Sequence, residues 1–303
     1  MRKNSQTLTT QSIPALIKQL AIPASIGMFF NTMYNVVDTF YAGLISTQAI
    51  SALTLSFMIF FLFFGFGYGF SSAITALLGN ALGKKRYKLA SIYAHKGLVF
   101  VPLIGLTLSI IGYFFAPSLF MFLGAKDEYL QISLDYINPI LFGAIFFMFN
   151  FSLNSILIAT GDTKTYRNSL IFGFFANLAL NPLFMYGFLF VPAMGIKGIA
   201  FATVLIQIIN MFYLFYKVLQ TKLIHFDKLE YFIPNLRIYK LFFTHGIPSS
   251  LNMLTMAIGS LILTYFVSHY GIQAVAGYGI GYRVEQLMLL PALGLSTAVL
   301  ALV

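Results

Sequence analysis

Asp38 is the one formal charge in the 65 residues between Lys18 and Lys84. A carboxylate at the centre of an apolar membrane helix costs about 2.5–3.5 kcal/mol on insertion scales, so such a group is expected to face protein or water and to have a use. Asn31, Tyr34, Asn35 and Asp38 follow i, i+3, i+4, i+7 spacing, which puts them on one helical face, while Phe29, Phe30, Met33, Val36, Val37 and Phe40 cover the rest. Similar stripes recur downstream: Asn150 and Asn154; Gly173, Asn177 and Asn181, followed by Pro182; and Thr203, Gln207 and Asn210. Amides are costly in hydrocarbon, so these faces are expected to converge on one interior. They could equally act as helix-to-helix glue, at about 0.6 kcal/mol each. Taken together with Asp38 they favour a hydrated site for a cation or a proton. Oxygen donors with a single carboxylate suit a hard monovalent ion or a proton rather than a transition metal.

The elements that must position these residues are membrane helices. The chain has 303 residues, 59% hydrophobic and 9% charged, with a mean hydropathy of +0.86. Soluble domains carry about 25% charged residues, so an all-α polytopic membrane protein is expected. Apolar runs of crossing length predict eight helices, at about 15–43, 49–79, 97–115, 130–159, 170–190, 195–218, 246–267 and 274–303. Pro23 falls inside the first and is a candidate hinge, or else an inert bend. The polar segment Met1–Gln11 has no apolar run with a cleavage site, so no removable signal peptide is expected.

The net charge of +10 does not point to nucleic acid, because the basic residues lie in alternate loops. Fifteen belong to the N-terminus and the second, fourth and sixth connections, and two, Lys126 and Lys197, to the others. The positive-inside rule then puts the N-terminus and the loop Lys84-Lys85-Arg86-Tyr87-Lys88 in the cytoplasm of a multi-pass protein, of the inner membrane in a bacterium. Without cysteine, disulfides and thiolate metal sites are excluded. His95, His225, His245 and His269 are scattered, mostly at loops or helix ends, and predict no metal cluster.

Sliding the chain on itself by 225 residues aligns Ile22-Pro23 with Ile247-Pro248, Ser25 with Ser250, Thr39 with Thr264 and Gly69 with Gly294. This reads as a parallel repeat. Residues 1–219 would form a six-helix first lobe, 220–240 a linker, and 241–303 the first two helices of a second lobe whose other four are absent. Asp38 falls on Leu263, so ion chemistry is expected in the first lobe. On this reading helices 7 and 8 would be poorly fixed, exposing Ser249, Ser250, Asn252, Gly259 and Ser260, and export would need the remaining helices. Arg283 and Glu285, two apart in helix 8, do not share a face and are candidate substrate contacts, as is Gln207. No Gly-Lys-Ser/Thr phosphate loop, G-x-S-x-G elbow or H-E-x-x-H stretch occurs, so no catalytic residue is assigned and no enzyme is expected.

The chain resembles the multidrug and toxic compound extrusion (MATE) family over roughly residues 12–303. The residues that carry the resemblance are Pro23, Tyr34 and Asn35-Val36-Val37-Asp38, then Leu78-Gly79-Asn80-Ala81-Leu82-Gly83 and Gly161-Asp162-Thr163-Lys164-Thr165. Asn177-Leu178-Ala179-Leu180-Asn181-Pro182, Gly198-Ile199-Ala200-Phe201-Ala202-Thr203 and Ala274-Val275-Ala276-Gly277-Tyr278-Gly279-Ile280 complete it. The resemblance implies twelve helices in two lobes around a cleft. It also implies export of amphipathic organic cations or other xenobiotics against Na⁺ or H⁺, by a monomer in the lipid bilayer without a cofactor. It makes Asp38 the coupling acid and places Asn154, Asn177, Asn181 and Thr203 in a cation-binding network with Tyr34 nearby; Na⁺ would sit on Asp38, Asn177, Asn181 and Thr203. Some members have Asp where this chain has Asn181, and one branch carries an acid in helix 7 that this chain lacks. The alternatives are a lipid-linked oligosaccharide flippase of a related fold, or a membrane remnant that transports nothing.

Overall fold

The computed structural model describes residues 13–188, 191–227 and 229–302; the segment Met1–Gln11, with its signal-peptide and orientation readings, lies outside them. The described chain consists of α1 (Ile13–Ile45), α2 (Thr47–Gly83), α3 (Tyr87–Phe122), α4 (Asp127–Ala159), α5 (Lys164–Tyr186), α6 (Ile196–Gln220), a 3₁₀ turn (Leu229–Tyr231), α7 (Leu236–Ser268) and α8 (Ile272–Leu302). No strand occurs among the described residues; a lone antiparallel bridge joins Phe188 to Val191. Helices α1 to α7 are long and apolar enough to cross a membrane. The eighth expected crossing forms as a 31-residue helix carrying Arg283 and Glu285, and is not among those seven.

Several helices outrun their apolar stretches. α3 begins at Tyr87 rather than near Gly97, so Tyr87 and Lys88 belong to the helix and not to the basic loop. α7 begins at Leu236 inside the expected linker, because the Asn235 side chain accepts from the amides of Arg237 and Ile238 and nucleates the first turn. Hydrophobicity marks where lipid ends, whereas caps mark where helices end. Ser46 caps α2 in the same way, accepting from Ala49 N at 3.0 Å. Between α4 and α5 the turn needs Gly161, whose φ is 80°, and the Asp162 carboxylate takes the Thr165 amide at 3.0 Å and its hydroxyl at 2.6 Å. The Gly161-Asp162-Thr163-Lys164-Thr165 run is therefore a turn and cap. Pro23 is buried inside α1, which continues through it unbroken.

His95 departs from its expected loop-end position. It is fully buried within α3, with Nδ1 donating to Ser91 O at 2.7 Å and Nε2 accepting from His225 N at 3.0 Å. Ser91 Oγ donates to Leu223 O at 2.7 Å, and Lys96 donates to the carbonyls of Glu230 and Ile233. One face of α3 thus ties down the segment between α6 and α7.

The expectation of an exposed small and polar face on helices 7 and 8 holds at Gly259 and is corrected at Ser250 and Ser260. α7 lies along α2, and α8 along α1. Ser250 is fully buried against Gly69 of α2, and Ser260 is buried with its hydroxyl 3.4 Å from that of Tyr278. Gly259 is exposed and Ser249 half-buried; the Asn252 side chain lies outside the described residues. Small residues allow this close backbone approach, which supplies packing without further helices. The contacts come in pairs related by the 225-residue shift. Gly69 faces Ser250 and Gly246 O, and Gly294 faces Ser25 and Ala21 O. Thr54 meets Gly279, and the rings of Phe57 and Tyr282 lie 6.1 Å apart, each residue touching its own counterpart. Such self-paired contacts lie on a pseudo-two-fold axis, placing the α2–α8 crossing where the two repeats meet.

Candidate cation site and central cavity

Asp38 is 3% exposed and is held from two helices. The amides of Asn177 and Asn181, one turn apart on α5, both donate to Asp38 Oδ1 at 2.8 Å. Asn181 Nδ2 also reaches Asn177 Oδ1 at 3.2 Å. From α6, the Thr203 hydroxyl donates to Asp38 Oδ2 at a longer 3.4 Å. Asn177, Asn181 and Thr203 are all buried. Hydrogen bonds to an ionised acceptor are worth about 1.5–3 kcal/mol, so two amides and a hydroxyl offset much of the cost of a buried carboxylate.

The same four residues offer a carboxylate, two amide oxygens and a hydroxyl. That set fits a hard monovalent cation or, at the carboxylate alone, a proton. Both amides turn N–H toward Asp38, and Asn181 Oδ1 is buried without a hydrogen-bond partner. A bound cation would draw that oxygen inward, whereas a proton needs no such turn. Among the described residues, no group of three or more His, Asp or Glu side chains could hold a metal ion.

The other residues named from the sequence fall at different distances from this centre. Tyr34 is buried beside Thr203 and Asn177, its hydroxyl without a completed hydrogen bond. Asn154 lines the cavity described below but does not bond to Asp38, and its Oδ1 has no partner. Asn150 donates instead to Gln207, at 2.8 Å to Oε1 and 3.0 Å to the backbone carbonyl. Asn35 donates to Asn31 O at 2.9 Å within α1. Glu285 is exposed and not brought to the site. Arg283 is 5% exposed, donates to Gly279 O at 2.9 Å, and stands 5.4 Å from the centroid of the Phe57 ring.

A cavity of about 320 Å³ runs from Asp38 along the polar faces of α1, α4 and α6, with Gln207 in its wall. Toward α2 and α8 its wall is aromatic: Phe57, Phe61, Phe64, Tyr68 and Tyr282. Phe57, Phe61 and Tyr282 make a mutual edge-to-face cluster with centroids 5.2–6.1 Å apart. Sequence reasoning missed these rings and Tyr136, which is buried at the Asp38 end. In a chain with 34 Phe and 18 Tyr nothing marks which of them line a cavity.

The MatE family profile matches residues 23–183 and again 248–303. The chain belongs to the MatE family. The second match starts 225 residues after the first, the same shift that aligns the chain with itself. MatE proteins are transporters and not enzymes. The chain is 29% identical to the probable multidrug resistance protein YoeA of Bacillus subtilis, covering 99% of this chain and 66% of the relative. It is 24% identical to the FAD transporter of Shewanella oneidensis, covering 98% and 66% respectively. Its backbone matches a MOP superfamily transporter from Pyrococcus furiosus with a TM-score of 0.84 and 28% identity, over 98% of this chain and 65% of that one. This MatE chain therefore spans just under two thirds of the length of these relatives.

Proposed function

We propose that this MatE chain serves secondary active efflux, exchanging amphipathic organic cations or other xenobiotics for Na⁺ or H⁺. Asp38 binds the coupling ion, with Asn177, Asn181 and Thr203 as its partners and Tyr34 and Asn154 beside it. The observation that carries this reading is a buried carboxylate on the wall of a cavity that is also lined with aromatic rings. Such rings hold flat organic cations through their faces without demanding one shape. The matched relative named as a multidrug resistance protein supports the same substrate class. The unit is a monomer in the bacterial inner membrane, and Pro23 serves as a hinge in α1.

The test is reconstitution into liposomes, of this chain alone and fused to the C-terminal third of the Bacillus subtilis relative. A Na⁺ or proton gradient is expected to drive uptake of a fluorescent organic cation in the fused form. Absence of gradient-dependent movement in both forms, with the protein inserted and folded, would overturn the reading. Orientation is tested separately: the basic connection at Lys84-Lys85-Arg86 is cytoplasmic on this reading. A cysteine replacing Lys85 is expected to resist an impermeant thiol reagent in intact cells, while one replacing Lys126 reacts. The opposite labelling would reverse the topology.

A further inference from the structure

Arg283 is a buried guanidinium with little to hold it. One nitrogen donates to Gly279 O within its own helix, and Nε has no hydrogen-bond partner. Among the described residues the one ion pair is Lys197 with Asp135, at 3.3 Å, so no carboxylate lies within ion-pair reach of Arg283. Its closest company is the face of Phe57, and both Phe57 and the adjacent Tyr282 form cavity wall. The charge therefore stands one aromatic ring behind the space where a substrate would lie. Asp38 and Tyr136 line the same cavity as Phe57.

The repeat makes the placement more pointed. Phe57 and Tyr282 are counterparts and touch across the pseudo-two-fold axis, but Arg283 corresponds to Met58 and Asp38 to Leu263. The acid on the cavity wall and the base behind it thus each belong to one half alone. A guanidinium needed only to anchor α8 on Phe57 would work as well in either half.

We propose that Arg283 is a specificity-determining residue, a fixed positive charge behind the cavity wall that opposes Asp38. While Asp38 is ionised the two charges offset each other, and the aromatic rings retain an organic cation. Once Asp38 takes up its coupling ion, Arg283 is no longer offset, the positive charge about the cavity, whose wall also includes Arg167, rises by one, and the organic cation is rejected. Ion and substrate then exclude one another without sharing ligands. This rests on the reading of Asp38 as the coupling acid.

The experiment measures binding to the purified chain in detergent, using ethidium as the cation and a neutral phenanthridine of similar size as its control. Asp38→Asn imitates the ion-loaded site. It is expected to weaken ethidium about tenfold, the effect of a unit charge roughly 10 Å away at an effective dielectric of about 20, and to change the neutral ligand by less than about twofold. Adding Arg283→Gln to Asp38→Asn is expected to restore ethidium binding about tenfold, while Arg283→Lys, which keeps the charge, does not. Equal effects on both ligands, or no recovery in the double variant, would overturn the proposal. If Arg283→Gln does not fold, the Asp38→Asn protein decides alone, because equal loss of ethidium and of the neutral ligand would contradict a repelling charge. Asp38→Asn without effect on ethidium, together with ion uptake unchanged by the same substitution, would remove the Asp38 reading itself.

Discussion

Asp38→Asn is expected to abolish ion-driven export while leaving the amount of protein in the membrane unchanged. Asparagine keeps the shape of the side chain and can still accept from Asn177 or Asn181, so the α1–α5–α6 contact survives. What it removes is the one anionic charge that a proton or Na⁺ can neutralise. The measurement is drug resistance in cells producing the exporting form, alongside its membrane level. Resistance equal to that of the unaltered protein would show that the carboxylate is not the coupling group. The neighbours should grade with geometry. Asn177→Ala removes a 2.8 Å charge-assisted bond to the ionised carboxylate, worth about 1.5–3 kcal/mol, together with an amide oxygen. It is expected to lower Na⁺ affinity roughly tenfold to a hundredfold through the lost oxygen, whereas proton binding, which competes with that bond, is strengthened. Thr203→Ala removes a 3.4 Å contact and should cost less. Asn150→Ala, whose partner is Gln207, should cost least; equal losses in all three would mean that these groups only hold helices together.

Most of the site could be read in the sequence because membrane interiors make polar residues expensive. Asp38, Asn177, Asn181 and Thr203 stand out from apolar surroundings, their spacing puts them on helical faces, and the structure brings those faces together. What could not be read depends on choices that hydrophobicity does not encode. Asn150 and Asn154 share a stripe, yet the first bonds to Gln207 and neither bonds to Asp38. The aromatic cluster of Phe57, Phe61 and Tyr282 depends on how α2 and α8 cross. The docking of the segment after α6 hangs on His95, Ser91 and Lys96, which look unremarkable in a basic stretch. The repeat was legible as matched residues, but its consequence was misjudged. Ser250 reads as part of the exposed face of an unfinished lobe, whereas it packs on Gly69 of α2.

That pairing leads to the second large effect, which is on stability. A Cβ added at Gly69 would come within 2.6 Å of the Ser250 backbone nitrogen and 2.8 Å of Gly246 O, besides meeting the Ser250 hydroxyl. Backbone cannot step aside without moving α7 as a whole. At Gly294 the equivalent Cβ meets the Ser25 hydroxyl, which can rotate away, and Ala21 O at 3.0 Å. At Gly79 it meets nothing within 4 Å. Overpacking costs about 1–3 kcal/mol in well-packed interiors, against a gain of up to about 1 kcal/mol from replacing helical glycine by alanine. Gly69→Ala is therefore expected to lower the melting temperature of the detergent-purified protein by several degrees, Gly294→Ala by less, and Gly79→Ala not at all. The order matters more than the size, since it separates crowding of the α2–α7 backbones from a general dislike of alanine at helical glycines. A Gly69→Ala protein as stable as Gly79→Ala would mean that α7 does not lie so close on α2. The close packing of Ser250 on Gly69 would then fail with it, and the matching α1–α8 contact at Gly294 would lose its symmetry argument.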